Sequence, residues 1–141
     1  MSRMQTIQLE TPGKFRVIEE SVPQKGHGEA LVGIRSIGVC GTDIHAFHGR
    51  QPFFEYPRIL GHELGIEILE IDENDLGLKI GDKCSVEPYL NNPATPASRL
   101  GKSNCCEELE VLGVHIDGGM RPLLSLPIHK LHKANDLNFD Q

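Results

Sequence analysis

The feature that most constrains the fold is a repeated alternation of apolar and polar residues over short stretches that end in glycine or proline. The clearest stretch, EALVGIRSIGV at residues 29–39, predicts a central β-strand. Fifteen glycines and nine prolines supply the breaks between such stretches. With 38% hydrophobic residues and no tryptophan, the chain is predicted to be mainly β, built from short strands rather than as a helical bundle.

A strand-to-helix junction follows this central strand. Gly41 breaks the alternation directly after Cys40, and residues 42–48 have the length and composition of a short helix. Thr42 or Asp43 is predicted to cap that helix. Cys40 therefore lies between two elements, a position where functional residues are often found.

The other predicted strands indicate an antiparallel arrangement. Apolar residues that alternate on both sides of a turn at Thr11 predict a β-hairpin. Further strands are predicted at 64–71, 84–87, 111–116 and 120–126, the last two separated by DGG. Pro122 places the last strand at a sheet edge or a bulge, because proline lacks the N–H that a ladder needs. This order favours a closed or partly closed antiparallel barrel.

Length and charge narrow the class of protein. A chain of 141 residues is predicted to be one domain that buries a core. The formal net charge of −6 argues against a nucleic acid partner, which requires clustered Lys and Arg. No apolar run approaches the roughly 20 residues of a membrane span, and the first residues lack the apolar core of a secretory signal. We therefore predict a cytoplasmic protein with no membrane partner and with its four cysteines as free thiols.

Three side chains offer donor atoms for a metal ion: the thiol of Cys40, the imidazole of His62 and the carboxylate of Glu63. Zinc binds sulfur, nitrogen and oxygen ligands, and a catalytic zinc keeps one position open. The spacing alone leaves a plainer interpretation open. A lone cysteine usually packs as a small hydrophobic residue, and a lone histidine is usually a core or surface residue.

Four ordered segments carry a family resemblance. GVCGTDIHAFHG, PRILGHE, GDKCSVEP and VLGVHIDGGM occur in the same order and at similar intervals in zinc-dependent medium-chain alcohol and polyol dehydrogenases. The chain resembles these enzymes over nearly all of residues 1–141, and the stretches QPFFEYPR and EPYL resemble the branch that acts on polyols and sugar acids. The resemblance implies a GroES-like catalytic domain, which is a partly closed antiparallel β-barrel with short helices.

The resemblance implies roles for the three donors. Cys40 and His62 match the two invariant zinc ligands, and Glu63 lies behind the zinc as an occasional ligand. Successive residues of a strand point to opposite faces, so His62 and Glu63 both reach one metal only if the backbone twists there. The resemblance places the remaining ligand, a cysteine or an acidic residue, shortly after the first turn of a helix that opens near Asn138, and therefore beyond residue 141. Zinc in this chain is therefore expected to be weakly bound or absent.

The resemblance also implies a proton relay beside the metal. Thr42 and His45 match the hydroxyl and imidazole that pass the alcohol proton towards solvent, a task that suits a group titrating near neutrality. Asp43 would orient a ligand imidazole. Local alternatives remain, because Thr42 and Asp43 could only cap the helix, and His45 and His48 could be solvated residues on it.

Several aromatic side chains are candidates for contact with the substrate, which the resemblance implies to be an alcohol, a polyol or a sugar acid. Phe53, Phe54 and Tyr56 could line a cleft, although three aromatics near two prolines could equally form a packed loop. Glu87 and Tyr89 are further candidates for contact with a polyol hydroxyl.

One expected motif for cofactor binding is missing from residues 1–141. No G-x-G-x-x-G follows a strand and opens a helix, and GHGEAL at Gly26 lacks the third glycine. NAD or NADP would therefore bind only to a Rossmann domain, which the family carries after this point. NFDQ at Asn138 has the form of an imperfect capping box and predicts a helix that is cut off, with an ordinary polar tail as the alternative.

A second departure lies in residues 91–106, which match the structural-zinc lobe of some family members. The resemblance places four cysteines there, whereas this chain has Asn92, Thr95, Ser98 and Cys106. Asparagine, threonine and serine are poor zinc ligands beside cysteine. This remnant of the lobe is therefore expected to contain no zinc.

A smaller departure concerns the GHE segment. The family motif has a glycine at the position of Ile66, whereas this chain has Gly65. We expect a local adjustment of the backbone there.

Three hypotheses about function follow. The chain is the catalytic domain of a zinc-dependent dehydrogenase and is inactive without its cofactor domain, or it is a stand-alone GroES-like binding or structural module, or it is a small zinc-binding protein without turnover. A homo-oligomer is compatible with each of them.

Overall fold

An N-terminal hairpin and a five-stranded sheet account for most of the fold in the computed structural model, which describes residues 2–140. The strands are β1 (Arg3–Thr11), β2 (Lys14–Ser21), β3 (Glu29–Gly38), β4 (Glu63–Glu70), β5 (Lys83–Val86), β6 (Tyr89–Leu90), β7 (Glu110–Val111), β8 (Leu123–Pro127) and β9 (Leu131–Lys133). The helices are α1 (Gly41–Phe47) and α2 (Pro96–Arg99), with short 3-10 helices at Ser103–Cys105 and Ile128–Lys130. The predicted mainly β fold with short helices is confirmed.

The main core lies on the five-stranded sheet, in which the strand order is β8-β3-β4-β5-β9 and every pairing is antiparallel. Alternate residues of β3 and β4 point inwards, and Val32, Ile66 and Ile68 are fully buried. Each such side chain contributes about 1.5–3 kcal/mol of transfer free energy. This core packs β3, which ends just before Cys40, against β4, which begins just after His62.

The predicted hairpin is confirmed by the pairing of β1 with β2. Its turn uses Gly13, whose φ of 78° lies in the left-handed region. Leu9 of β1 is fully buried and exchanges two backbone hydrogen bonds with Arg58, at 2.8 and 3.0 Å. The hairpin therefore braces the segment that leads to His62.

The predicted strands at 64–71 and 84–87 correspond to β4 and β5 with shifts of one residue. The expected backbone adjustment near Gly65 is also present, because the register between β3 and β4 shifts between Ile34 and Ser36, opposite Gly65. A Cβ at Gly65 would overlap the Ser36 hydroxyl. Glycine therefore fits this irregular pairing.

The strands predicted at 111–116 and 120–126 are wrong in extent. Only Val111 of the first lies in a strand, because the chain then turns and the Val111 carbonyl accepts the N–H groups of Val114 and His115, at 3.1 and 2.9 Å. The second strand begins at Leu123, after Pro122. As expected for a segment next to a proline, β8 is an edge strand of its sheet.

The described part of the C-terminal segment ends in a turn, and none of the cysteines is in a disulfide bond. A turn covers residues 139–140, and Gln141 lies outside the described residues, so the helix predicted to open at Asn138 stays a prediction. All four cysteines are free, as predicted. Within residues 2–140, no helix combines the length and the hydropathy that a bilayer crossing requires.

Candidate metal centre

The first donor, Cys40, occupies the N-cap of α1. Its backbone is extended (φ −105°, ψ 174°), and its Sγ accepts the N–H of Thr42 at 3.3 Å. The Asp43 carboxylate returns the interaction by accepting the Cys40 N–H at 3.0 Å, which completes a capping box. The prediction that Thr42 or Asp43 is the N-cap was therefore wrong by two or three positions, because helical geometry already begins at Gly41.

The second donor, His62, lies directly before β4, next to Gly61, which has a φ of 96°. Only 12% of its side chain is exposed. Its Nε2 lies 3.0 Å from Cys40 Sγ, although the two residues are 22 positions apart in sequence. The fold thus brings the two predicted ligands into direct contact.

Glu63 joins these two residues. One donor atom each of Cys40, His62 and Glu63 lies within 4.8 Å of the others, and the Glu63 side chain is exposed. Strand alternation does not separate His62 from Glu63, because β4 begins only at Glu63 and the left-handed Gly61 turns the chain just before. A sulfur, a nitrogen and an oxygen donor at this separation fit a zinc ion.

Asp43 faces both ligands. It is 4% exposed, and while its Oδ2 binds the Cys40 N–H, its Oδ1 lies 3.7 Å from His62 Nδ1. That separation is longer than a hydrogen bond, and neither of the two buried atoms has a hydrogen-bond partner among the described residues. An Nδ1 proton on His62 and a carboxylate on Asp43 would satisfy each other after a small movement, as in metal sites where a carboxylate orients a ligand histidine.

The predicted relay residues lie on α1. Thr42 is half-buried beside Cys40, and His45 is exposed three residues later. Residues three apart on a helix lie on the same face, so Thr42 and His45 share one face of α1, and their part in a proton relay stays a prediction. His48 is exposed at the C-cap of α1.

The aromatic candidates divide into two kinds. The rings of Phe54 and Tyr56 pack edge to face, with their centroids 4.9 Å apart, and both rings pack against the small core of Leu9 and Leu60. The Tyr56 hydroxyl also donates to a backbone carbonyl of α1. Burial raises the pKa of Tyr56. Phe53, in contrast, is 90% exposed. The first two thus belong to a packed loop, and Phe53 is the aromatic of this segment that is free to meet a ligand.

The EPYL candidates lie elsewhere in the fold. Tyr89 is half exposed and pairs in the small β6–β7 sheet with Val111. Glu87 accepts a hydrogen bond from the buried Lys130 ammonium at 2.6 Å, which lowers the pKa of Glu87. Its carboxylate is therefore already engaged, and its contact with a polyol stays a prediction.

The lobe at 91–106 brings its four predicted positions together around Thr95. The Thr95 Oγ1 lies 2.9 Å from Ser98 Oγ, 3.4 Å from Cys106 Sγ and 3.0 Å from the Asn92 carbonyl oxygen. Thr95 also caps α2, which begins at Pro96. One thiol among hydroxyl and carbonyl oxygens does not fit a zinc ion, because a closed zinc site is built from thiolates and imidazoles.

The sequence missed one part of the site, the loop at residues 117–119. The DGG signal predicted only a break between strands, whereas the loop contacts the residues before His62, as when the Gly119 N–H donates to the Gly61 carbonyl at 2.8 Å. Two adjacent glycines were the signal that could have found it, since they allow two backbones to approach closely.

Comparison with known proteins agrees with this geometry. Residues 26–136 match the family described as the alcohol dehydrogenase GroES-like domain. The chain belongs to this family. It is 42% identical to L-galactonate-5-dehydrogenase of Escherichia coli K12 over 98% of its own length and 41% of that protein. It is 41% identical to an uncharacterized zinc-type alcohol dehydrogenase-like protein of Haemophilus influenzae, over 95% of this chain and 40% of the relative.

A solved structure extends the match to three dimensions. The short chain alcohol dehydrogenase RspB of Escherichia coli CFT073, in complex with NADH, superimposes on this GroES-like domain with a TM-score of 0.83 and 32% identity. The alignment covers 94% of this chain and 39% of that one. The chain thus spans about 40% of the length of the relatives it matches.

Proposed function

We propose that this chain supplies the zinc-binding half of a dehydrogenase that oxidises an alcohol, a polyol or a sugar acid. The observation that carries the proposal is the contact of Cys40 Sγ with His62 Nε2 at 3.0 Å, with Glu63 close to both. The 42% identity to a relative named for L-galactonate favours a sugar acid among these substrates.

Cys40 and His62 would hold the metal, with Glu63 as a third ligand. When bound, zinc polarises a hydroxyl and lowers its pKa. The Thr42 oxygen would accept the proton of the substrate hydroxyl while the Thr42 hydroxyl gives its own proton to His45, and His45 would then release a proton to solvent. Asp43 would fix the Nδ1–H tautomer of His62, which leaves the lone pair of Nε2 free to bind the metal.

The hydride acceptor would bind outside residues 1–141. Residues 1–141 contain no G-x-G-x-x-G that follows a strand and opens a helix, and they cover only 39% of a relative solved with NADH. Both observations support a site for the nicotinamide cofactor, NAD or NADP, in a part of the protein that this chain does not cover. The isolated chain is therefore proposed to be inactive in alcohol oxidation. We also propose a cytoplasmic location and a lobe at 91–106 without zinc.

A second candidate is a zinc-binding protein without turnover. The same three donors, Cys40, His62 and Glu63, would serve it, since zinc binding by itself requires no cofactor domain. A stand-alone binding module is the third candidate, and it requires no metal at all.

A zinc titration of the purified chain tests the proposal. Because the remaining ligand is expected beyond residue 141, we expect one weakly bound zinc ion per chain at saturating metal. That ion should be lost in Cys40→Ser and His62→Ala, and retained in the control Cys105→Ser, whose thiol is exposed. Absence of zinc from the wild-type chain under saturating metal would contradict the proposal and favour the binding module.

Turnover separates the remaining candidates. The zinc-loaded chain is expected to show no NAD- or NADP-dependent oxidation of L-galactonate. A longer protein containing this chain and a dinucleotide-binding domain is expected to show it. If such a protein binds zinc and both substrates without turnover, the second candidate is correct.

A further inference from the structure

We infer that the loop at residues 117–119 positions His62, so that the second ligand is held at the metal site before metal arrives. This inference rests on the proposed function. The loop is far in sequence from both ligands and touches neither of them through a side chain hydrogen bond. It acts on the backbone that carries the imidazole.

Three successive carbonyl groups before His62 are fixed by this loop. The N–H of Gly118 donates to the Ile59 carbonyl at 2.7 Å, and that of Gly119 donates to the Gly61 carbonyl at 2.8 Å. The next residue, Met120, donates to the Leu60 carbonyl at 2.9 Å. Because residues 59–61 are bonded at every carbonyl, the direction in which the chain enters residue 62 is set by the loop.

The Asp117 side chain, at the start of the loop, also binds the segment before His62. Its Oδ1 accepts the Ile59 N–H at 3.0 Å and lies 3.4 Å from the Arg58 guanidinium. Arg121 in turn donates to the backbone carbonyls of Asp117 and Gly118, at 3.1 and 2.9 Å. Both ends of the loop are therefore anchored, and Ile59 and Leu60 beneath it are almost fully buried.

Close backbone approach explains why the loop contains glycine. A Cβ at Gly118 would lie 2.7 Å from the Leu60 carbonyl oxygen and closer still to that of Gly61. These are backbone atoms, which cannot rotate away as a side chain would. Any residue other than glycine at 118 must therefore displace the segment that carries His62.

The two ligands are thus held by separate devices. Cys40 is placed by its capping box with Asp43, whereas His62 is placed by the left-handed Gly61 and the loop. The loop residues are positioning residues, because their hydrogen bonds reach residues 58–61 and not the donor atoms of Cys40, His62 or Glu63. A lateral shift of the imidazole would break the 3.0 Å approach of Nε2 to Cys40 Sγ.

Gly118→Ala tests the inference, with Gly41→Ala as the matched control. A Cβ at Gly41 would meet no atom within 4 Å, and its φ is not left-handed, although it lies next to the other ligand. We expect Gly118→Ala to weaken zinc binding about tenfold or more, as for other residues that orient ligands, and to change the absorption spectrum of the cobalt-substituted chain. Gly41→Ala is expected to bind both metals as the wild type does.

A second pair of variants covers the case in which Gly118→Ala does not fold. Asp117→Ala removes the acceptor for the Ile59 N–H, whereas Asp117→Asn keeps an oxygen at that place. We expect weaker zinc binding and an altered cobalt spectrum in Asp117→Ala, with recovery in Asp117→Asn. Folded Gly118→Ala, or folded Asp117→Ala, with wild-type zinc affinity and cobalt spectrum would overturn the inference.

A metal-free measurement separates this inference from the proposed function. The ring nitrogen resonances of His62 in the metal-free chain are expected to shift in Gly118→Ala and Asp117→Ala, and to stay unchanged in Gly41→Ala. A wild-type chain that binds no zinc would defeat the proposed function, while these resonances would still decide whether the loop positions His62. Unshifted His62 resonances in the loop variants would refute the inference alone.

Discussion

The metal centre and the lobe at 91–106 both gather polar side chains from separate segments, yet they differ in how those groups are satisfied. In the lobe, the Thr95 hydroxyl has the Asn92 carbonyl, Ser98 and Cys106 as neighbours. At the metal centre, the buried His62 Nδ1 and Asp43 Oδ1 lack hydrogen bonds within the described residues 2–140. A buried polar atom without a partner costs about 1–3 kcal/mol. At the metal centre these two atoms also face each other at 3.7 Å, beside the donors of Cys40 and Glu63.

Polar side chains that come together from separate segments are therefore not sufficient for a metal site. What separates the two regions is donor chemistry: a thiol, an imidazole and a carboxylate in one, and hydroxyls, a backbone carbonyl and one thiol in the other. The polar groups of the lobe form hydrogen bonds with one another, whereas the metal centre presents a sulfur, a nitrogen and an oxygen atom that can bind a metal ion.

Replacing the lobe's donors should remove this difference. Asn92→Cys, Thr95→Cys and Ser98→Cys together with the native Cys106 would form four thiols around one point, and a structural zinc contributes about 10–16 kcal/mol of binding free energy in small domains. We expect the triple variant to bind a second zinc ion, and its cobalt form to show intense thiolate-to-cobalt absorption. The same triple variant with Cys106→Ser is the control, and binding of only one ion by the triple variant would show that the four positions do not surround a common point.

Removing the Thr95 hydroxyl should loosen the lobe without affecting the metal. Thr95→Val keeps the shape but leaves the hydrogen-bonding groups of its neighbours unpaired, at a cost of about 1–3 kcal/mol. We expect faster amide hydrogen exchange in residues 92–106 and unchanged zinc content.

Thr6→Val is the matched control for that variant. The Thr6 hydroxyl is buried and has no hydrogen-bond partner among the residues that the structure describes, so its removal is expected to be neutral or stabilising. Equal effects of the two substitutions on the free energy of unfolding would mean that the Thr95 network contributes nothing specific.

A smaller effect is expected from acid, through the contacts that link the lobe to the five-stranded sheet. Buried Lys130 binds both Glu87 and the Asn91 side chain, at 2.6 and 2.9 Å, and Asn91 donates to Ser98 of the lobe. The hydrogen bond from Lys130 holds the pKa of Glu87 below its usual value. A lowered pKa stabilises the fold above the unfolded-state pKa, and that stability is lost as the pH falls through the folded-state pKa.

Amide exchange in the lobe should therefore quicken as the pH is lowered from about 5 to about 3, after correction for the intrinsic exchange rate. Glu87→Gln should weaken this dependence, whereas Glu107→Gln, at an exposed position, should preserve it. A Glu87→Gln variant with the wild-type acid response would show that Glu87 is not the titrating group.

Much of the architecture was predictable because alternation is a local signal. β3 and β4 were placed within one residue, since their buried faces demand every second residue to be apolar. The strand predicted at 111–116 failed because its apolar residues belong to a turn, where the Val111 carbonyl accepts several N–H groups, a pattern that periodicity does not encode. The short β6 and β9 carry too few residues to show any period.

The ligand residues of the candidate site could be predicted from the sequence, but the segments that hold those residues in place could not. Cys40 and His62 were assigned from motifs, and the structure brings them together. The loop at 117–119 could not be assigned, because its role depends on backbone hydrogen bonds between segments that are distant in sequence. The sulfur N-cap was missed because capping preferences favour oxygen-bearing side chains.

The Cys40 side chain has two roles, as the N-cap of α1 and as a candidate metal ligand. Serine, aspartate or asparagine at residue 40 would begin α1 more stably, since their oxygens are the preferred caps. None of them replaces a thiolate towards a soft or borderline metal. The start of α1 is therefore a place where helix stability and metal binding favour different residues.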